Sequence, residues 1–128
     1  MNVDHAGIAT DDADVLAELY TDLFGFEVAH EETFDGMNVV FLDCGESYFE
    51  LLEPLGGEGA IARYLDRNGP GIHHLALETD DVAAALDRAR EHGVELIDDE
   101  PRPGAWGHSV AFLHPGSTGG VLIEFVEH

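Results

Sequence analysis

Shifted so that His5 lies on His74, the chain matches itself: "HAGIATDDADVLAEL" falls on "HLALETDDVAAALDR". After small further shifts, "GFEV" at Gly25 falls on "GVEL" at Gly93, "VVFLDCG" from Val39 on "VAFLHPG" from Val110, and "ELLE" from Glu50 on "EFVE" from Glu124. Four matches in the same order make the chain a tandem duplication. Whatever it folds into must therefore be built from one unit used twice.

Each half reads as a strand, a helix and three strands. The first strand ends at "TDD", where Thr or Asp caps a helix and acidic residues suit its positive end. Helical spacing then runs through Val15, Leu16, Leu19, Tyr20 and Leu23 up to Gly25, and through Val82, Ala85, Leu86 and Ala89 up to Gly93, predicting two core-facing stripes. Strands are expected at about 26–32, 38–43 and 47–53, and in the copy at about 94–98, 108–114 and 120–127. "GGEGAIARYLDRNGPG" between the halves reads as a short helix with a glycine-rich exit. The expected fold class is α+β: a single domain of tandem βαβββ modules, the first over about 1–54 and the second over about 71–128, joined by a connecting segment over about 55–70.

The chain carries 27 acidic residues against 5 basic ones, all of them arginine, for a formal charge of -22. The acids are spread along the whole length, as on a solvated surface. Such a chain repels nucleic acid and anionic lipid. An acid-rich, lysine-free composition resembles that of proteins from cytoplasms holding molar salt, where the Debye length shrinks to about 3 Å. Cys44, the only cysteine, has no internal disulfide partner and reads as a small buried hydrophobe. The opening "MNVDHAG" lacks the basic and apolar regions of a leader, and no run of about 18 apolar residues occurs, so a cytoplasmic location without membrane contact is expected.

The repeat decides which histidines matter. In "GIHHLALETDD", His73 shares a strand face with Leu75 and Leu77, whereas His74 shares one with Ala76. His5 likewise shares its face with Gly7, while Ala6 and Ile8 point the other way. The large apolar side belongs under the helices, which leaves the histidine side as the open, concave face. Glu50 interrupts "YFELL" and Glu124 interrupts "VLIEFV", and a carboxylate in such a run needs a cation or a proton. His5, Glu50, His74 and Glu124 thus form two equivalent His/Glu pairs. Their mixed nitrogen and oxygen donors suit one divalent Mn, Co, Ni or Fe, or Zn with added water, better than calcium. His73 is then structural or supports the site from behind.

With "ELLEPLG" at 50–56, "GIHHLAL" at 71–77, "DDEPRPGAWG" at 98–107 and "VAFLHPGSTGGVLIE" at 110–124, the chain resembles the vicinal oxygen chelate superfamily, and within it the methylmalonyl-CoA epimerase family. The resemblance covers essentially the whole chain and implies a curved mixed sheet around a metal site. It implies interconversion of the two C2 epimers of an acyl-CoA through a metal-stabilised enolate, with His5, Glu50, His74 and Glu124 as metal ligands. It also implies Glu124 as the first proton-transferring group and Glu50 as a second. Some relatives carry a glutamate where this chain has Val39, so Glu50 does both jobs, or Glu32 or Asp35 reaches in, or water serves. Arg102, His108 and His114 are the candidate contacts to the CoA substrate, and a homodimer is expected. Two other readings share the fold: a glyoxalase I-type lactoylglutathione lyase, which uses the same kind of ligand set, and a metal-free drug-binding protein, which does not need the His/Glu quartet.

Overall fold

The computed structural model describes residues 1–128, which divide into two compact units: His5–His73, and His74–His128 together with Met1–Asp4. The first unit contains strand β1 (Asn2–Ala9) from His5 onward, helix α1 (Ala13–Phe24), strands β2 (Glu27–Phe34), β3 (Met37–Asp43) and β4 (Tyr48–Pro54), and helix α2 (Ala60–Asn68). Its strands are ordered β2-β3-β4-β1, with β4 and β1 parallel and the others antiparallel. The second unit contains β5 (Gly71–Glu78) from His74 onward, helix α3 (Val82–Glu91), the short β6 (Arg102–Pro103), β7 (Ser109–Leu113) and β8 (Ile123–Glu127). Its order, β6-β7-β8-β5 with only β8 and β5 parallel, repeats that of the first unit. The βαβββ module is thus present twice.

The two main helices start the same way, for reasons written in the repeat. Asp12 and Asp81 are N-caps with nearly identical extended backbones, and their carboxylates accept from Val15 N at 3.1 Å and Ala84 N at 3.0 Å. The first helical N–H of each helix is satisfied from afar: Glu53 Oε1 accepts from Ala13 N at 2.9 Å, and Glu127 Oε1 from Val82 N at 3.1 Å. Those glutamates close "ELLE" and "EFVE". Each module therefore uses the end of its last strand to fix the entry of its helix, which sets the helix over the sheet.

The stripe predicted for α3 is buried as expected, with Val82, Ala85, Leu86 and Ala89 packed on Ala111, Leu113 and Phe125. The stripe predicted for α1 is half wrong. Ala13, Leu16, Ala17 and Tyr20 face the sheet, against Ile8, Val40, Leu42 and Leu51, whereas Val15, Leu19 and Leu23 are exposed. The small alanines let α1 lie close to the sheet, and the larger side chains on the adjoining stripe then point outward.

The strand expected at about 94–98 does not form. Leu96 makes only an isolated bridge to Leu113, and the edge strand is displaced to Arg102–Pro103. Prolines at 101 and 103 remove ladder donors, and the Asp98 carboxylate takes over part of the pairing by accepting from Phe112 N at 2.8 Å. The last strand likewise begins at Ile123 rather than 120, because residues 115–117 turn in a short 3-10 segment. Cys44 is half-buried rather than buried, its thiol donating to the Ser47 carbonyl at 3.1 Å. No helix is long and apolar enough to cross a membrane.

A charge of -22 on 128 residues makes the folded chain repel itself wherever solvent does not screen it. Raising KCl from 0.1 to about 3 M should lift the melting temperature by roughly 10 °C or more, as a few kcal/mol of self-repulsion are relieved. Thermal melts followed by circular dichroism check this. A melting temperature indifferent to salt would show that the acids are solvated without mutual cost.

Candidate metal centre

In each unit a histidine on the first strand is brought beside a glutamate on the last by the same parallel register. Glu50 of β4 lies opposite Gly7 of β1, two residues beyond His5; Glu124 of β8 lies opposite Ala76 of β5, two residues beyond His74. His5 Nε2 stands 3.4 Å from Glu50 Oε1, and His74 Nε2 stands 3.8 Å from Glu124 Oε1. All four side chains are at least nine-tenths buried. Burial of these four side chains sets both pairs deep in the histidine-bearing side of each sheet. In the second unit Ala76 and Val126 pack with Val110 on that side, whereas Leu77, Ile123 and Phe125 back onto the α3 cluster as predicted.

The repeat extends to a ring that sequence reasoning did not assign. Phe41 meets His5 edge-on, with centroids 5.7 Å apart at 86°, and Phe112 meets His74 at 5.3 Å and 86°. Phe41 and Phe112 stand at the same place in "VVFLDCG" and "VAFLHPG", so the signal was present. Each aromatic edge holds its imidazole upright and keeps the pair dry.

The donor chemistry fits a divalent ion. Metal–ligand bonds of about 2.1 Å set two neighbouring donors about 3.0–3.4 Å apart, close to the His5–Glu50 spacing and somewhat shorter than the His74–Glu124 one. Both spacings exceed an ordinary hydrogen bond of about 2.7–3.2 Å. Burying a carboxylate beside a neutral imidazole is costly unless a cation offsets the charge.

The other predicted residues are held by contacts of their own. Arg102 donates through Nε to Asp98 Oδ1 at 3.1 Å and lies over the Phe112 ring at 5.5 Å, which places the guanidinium beside the His74 neighbourhood. His108 is buried, stacked on Trp106 at 5.5 Å and 4.0 Å from the His128 ring. Trp106 holds a left-handed backbone, φ 62°, a cost borne where its ring covers His108. His114 caps the 3-10 turn, its Nδ1 accepting from Gly116 N at 3.0 Å. Asp35 sits at the turn between β2 and β3 with φ 50°. His73 packs edge-on against Tyr64 at 5.2 Å, as a structural residue would. Asp4, Glu78 and His128 form a further cluster whose ligand atoms lie within 4.8 Å of one another. Nothing in the repeat announced it, because Asp4 falls on His73 in the copy.

Fold and donor set together define a class: the model of the Glyoxalase/Bleomycin resistance protein/Dioxygenase superfamily matches residues 4–112. The chain is 38% identical over 126 residues to the ethylmalonyl-CoA/methylmalonyl-CoA epimerase of Cereibacter sphaeroides, covering 95% of this chain and 94% of that one. The crystal structure of methylmalonyl-CoA epimerase from Mycobacterium tuberculosis superposes with a TM-score of 0.93 at 39% identity, covering 98% of this chain and 87% of that one. A variant of the Streptomyces coelicolor methylmalonyl-CoA epimerase in complex with 2-nitronate-propionyl-CoA superposes with a TM-score of 0.92 at 41% identity, over 99% of this chain and 94% of that one. The chain belongs to the methylmalonyl-CoA epimerase family of that superfamily.

Proposed function

We propose that this protein is a metal-dependent epimerase that interconverts the C2 epimers of methylmalonyl-CoA, with His5, Glu50, His74 and Glu124 holding one divalent ion between them. The observation that carries the reading is the pair of buried His–Glu sets, equivalent by repeat, in a chain that matches epimerases over nearly its full length. Each set alone offers two donors, half of what a four-coordinate ion takes from protein. Two equivalent sets complete it. When bound, the ion neutralises the negative charge that develops on the thioester oxygen as the C2 proton leaves.

The chain's own groups do the rest. Glu124 accepts the proton from C2, with the Phe112 ring against His74 keeping water away from that pair. Arg102, His108 and His114 are the groups assigned to the CoA moiety, through charge or hydrogen bonding. Arg102 is the only arginine of the three, and so the main electrostatic contact for a phosphate. In deuterated water the metal-loaded enzyme should take up deuterium at C2 while inverting that centre, with no change to the carbon skeleton. Mass spectrometry of the thioester reads the first and chiral separation the second. Absence of C2 exchange at every salt concentration would overturn the epimerase reading.

A further inference from the structure

The sheet face that carries His5 and Glu50 carries a second histidine–carboxylate pair. Across the register of the first unit, His30 of β2 lies opposite Phe41 of β3, which lies opposite Glu50 of β4; two residues along, Glu32 lies opposite Val39, which lies opposite Leu52. Directly opposed residues share a face, so His30, Glu32 and Glu50 project to the same side. His30 Nε2 stands 3.3 Å from Glu32 Oε1, both side chains being a little over a quarter exposed. The Phe41 ring joins this pair to the metal pair, lying 6.3 Å from the His30 ring and 5.7 Å from the His5 ring. A bulge in β2 falls immediately before His30, and such irregularities often accompany sites where side chains are aimed. The neighbouring Glu31 lies on the opposite face and is exposed, as a purely solvating carboxylate is.

We propose that Glu32, held by His30, is the proton-transferring group that serves the face of C2 opposite the one Glu124 serves; this rests on the epimerase reading above. Inversion needs a proton to leave one face of C2 and another to arrive on the other. In one direction the C2–H bond breaks, the proton passes to the Glu124 carboxylate and the electron pair moves into the enolate. The Glu32 carboxylic acid then gives its proton to C2 and re-forms the C–H bond. The carboxylate left on Glu32 is steadied by His30 Nε2 and regains a proton from solvent on the exposed side of the pair, and Glu124 gives up its acquired proton to solvent before the next turnover. In the reverse direction the two carboxyl groups exchange roles. Two strand spacings, about 10 Å, separate the β2 row from the β4 row, which leaves room for an acyl group between Glu32 and the metal pair. Val39, fully buried, supplies the apolar floor beneath it.

The test offers each C2 epimer separately to metal-loaded Glu32→Gln, His30→Gln and Glu31→Gln in deuterated water, reading deuterium uptake and inversion independently, with metal content as a check. Glu32→Gln should still exchange one epimer with retention, within about tenfold of the unaltered rate, while inversion falls about 10²–10⁴-fold and the other epimer neither exchanges nor inverts. His30→Gln should show the same asymmetry more weakly, and Glu31→Gln should match the unaltered enzyme. Inversion of both epimers by Glu32→Gln at the unaltered rate would overturn the proposal. So would an equal loss of exchange in both epimers with metal still bound, which would mark a structural or binding role. Failure of the parent reading looks different: the unaltered enzyme would then exchange neither epimer.

Discussion

Replacing Glu124 by Gln should lower C2 exchange about 10²–10⁴-fold while bound metal falls far less. The amide keeps an oxygen in the place of Glu124 Oε1, 3.8 Å from His74 Nε2, so it remains a donor to a cation. It cannot accept a proton from carbon. The variant thus separates the two duties assigned to one side chain, which deletion to alanine would remove together. The side chain is nearly fully buried within a regular register with β5, and glutamine has the same shape, so the fold should tolerate the change. Metal analysis beside deuterium uptake decides the matter. Retained metal with near-normal exchange would transfer the proton-accepting duty to Glu50, the equivalent carboxylate of the other module.

The duplication made much of this legible because it turns weak local signals into paired ones. A lone histidine in an apolar strand says little, yet His5 and His74 fall on one another, as do Glu50 and Glu124, and the structure gives both pairs the same parallel register. The helix starts at Asp12 and Asp81 were readable for the same reason. What escaped depended on contacts that a local pattern does not encode. The outward turn of Val15, Leu19 and Leu23 follows from how closely Ala13 and Ala17 let α1 approach the sheet. The missing strand near Leu96 follows from prolines and from Asp98 reaching across to Phe112 N, and the Asp4–His128 contact joins residues from opposite ends of the chain. The His30–Glu32 pair was visible only as a nearby acid until the register set it beside Phe41, because an i, i+2 pair on a strand signals a shared face without saying what lies across it.

Adjacent histidines give the sharpest test of strand parity, since His73→Ala and His74→Ala differ by one position and should differ in almost everything measured. His74 lies beside Glu124, buried and edge-on to Phe112. Its loss removes one donor of the set and leaves a buried carboxylate short of a partner, so metal affinity should fall by about 100-fold or more and epimerisation with it. His73 points to the other face, where its ring meets Tyr64, whose hydroxyl donates to the Ile72 carbonyl at 2.8 Å. Its loss should cost about 0.5–1.5 kcal/mol of stability through the missing ring contact and leave metal content unchanged. Titration of the metal-free proteins with a divalent ion, read beside thermal melts, separates the two effects. Equal loss of metal in both variants would mean that the strand's alternation does not decide which histidine faces the ion, and the whole assignment of faces, His5 and Glu50 included, would have to be redrawn.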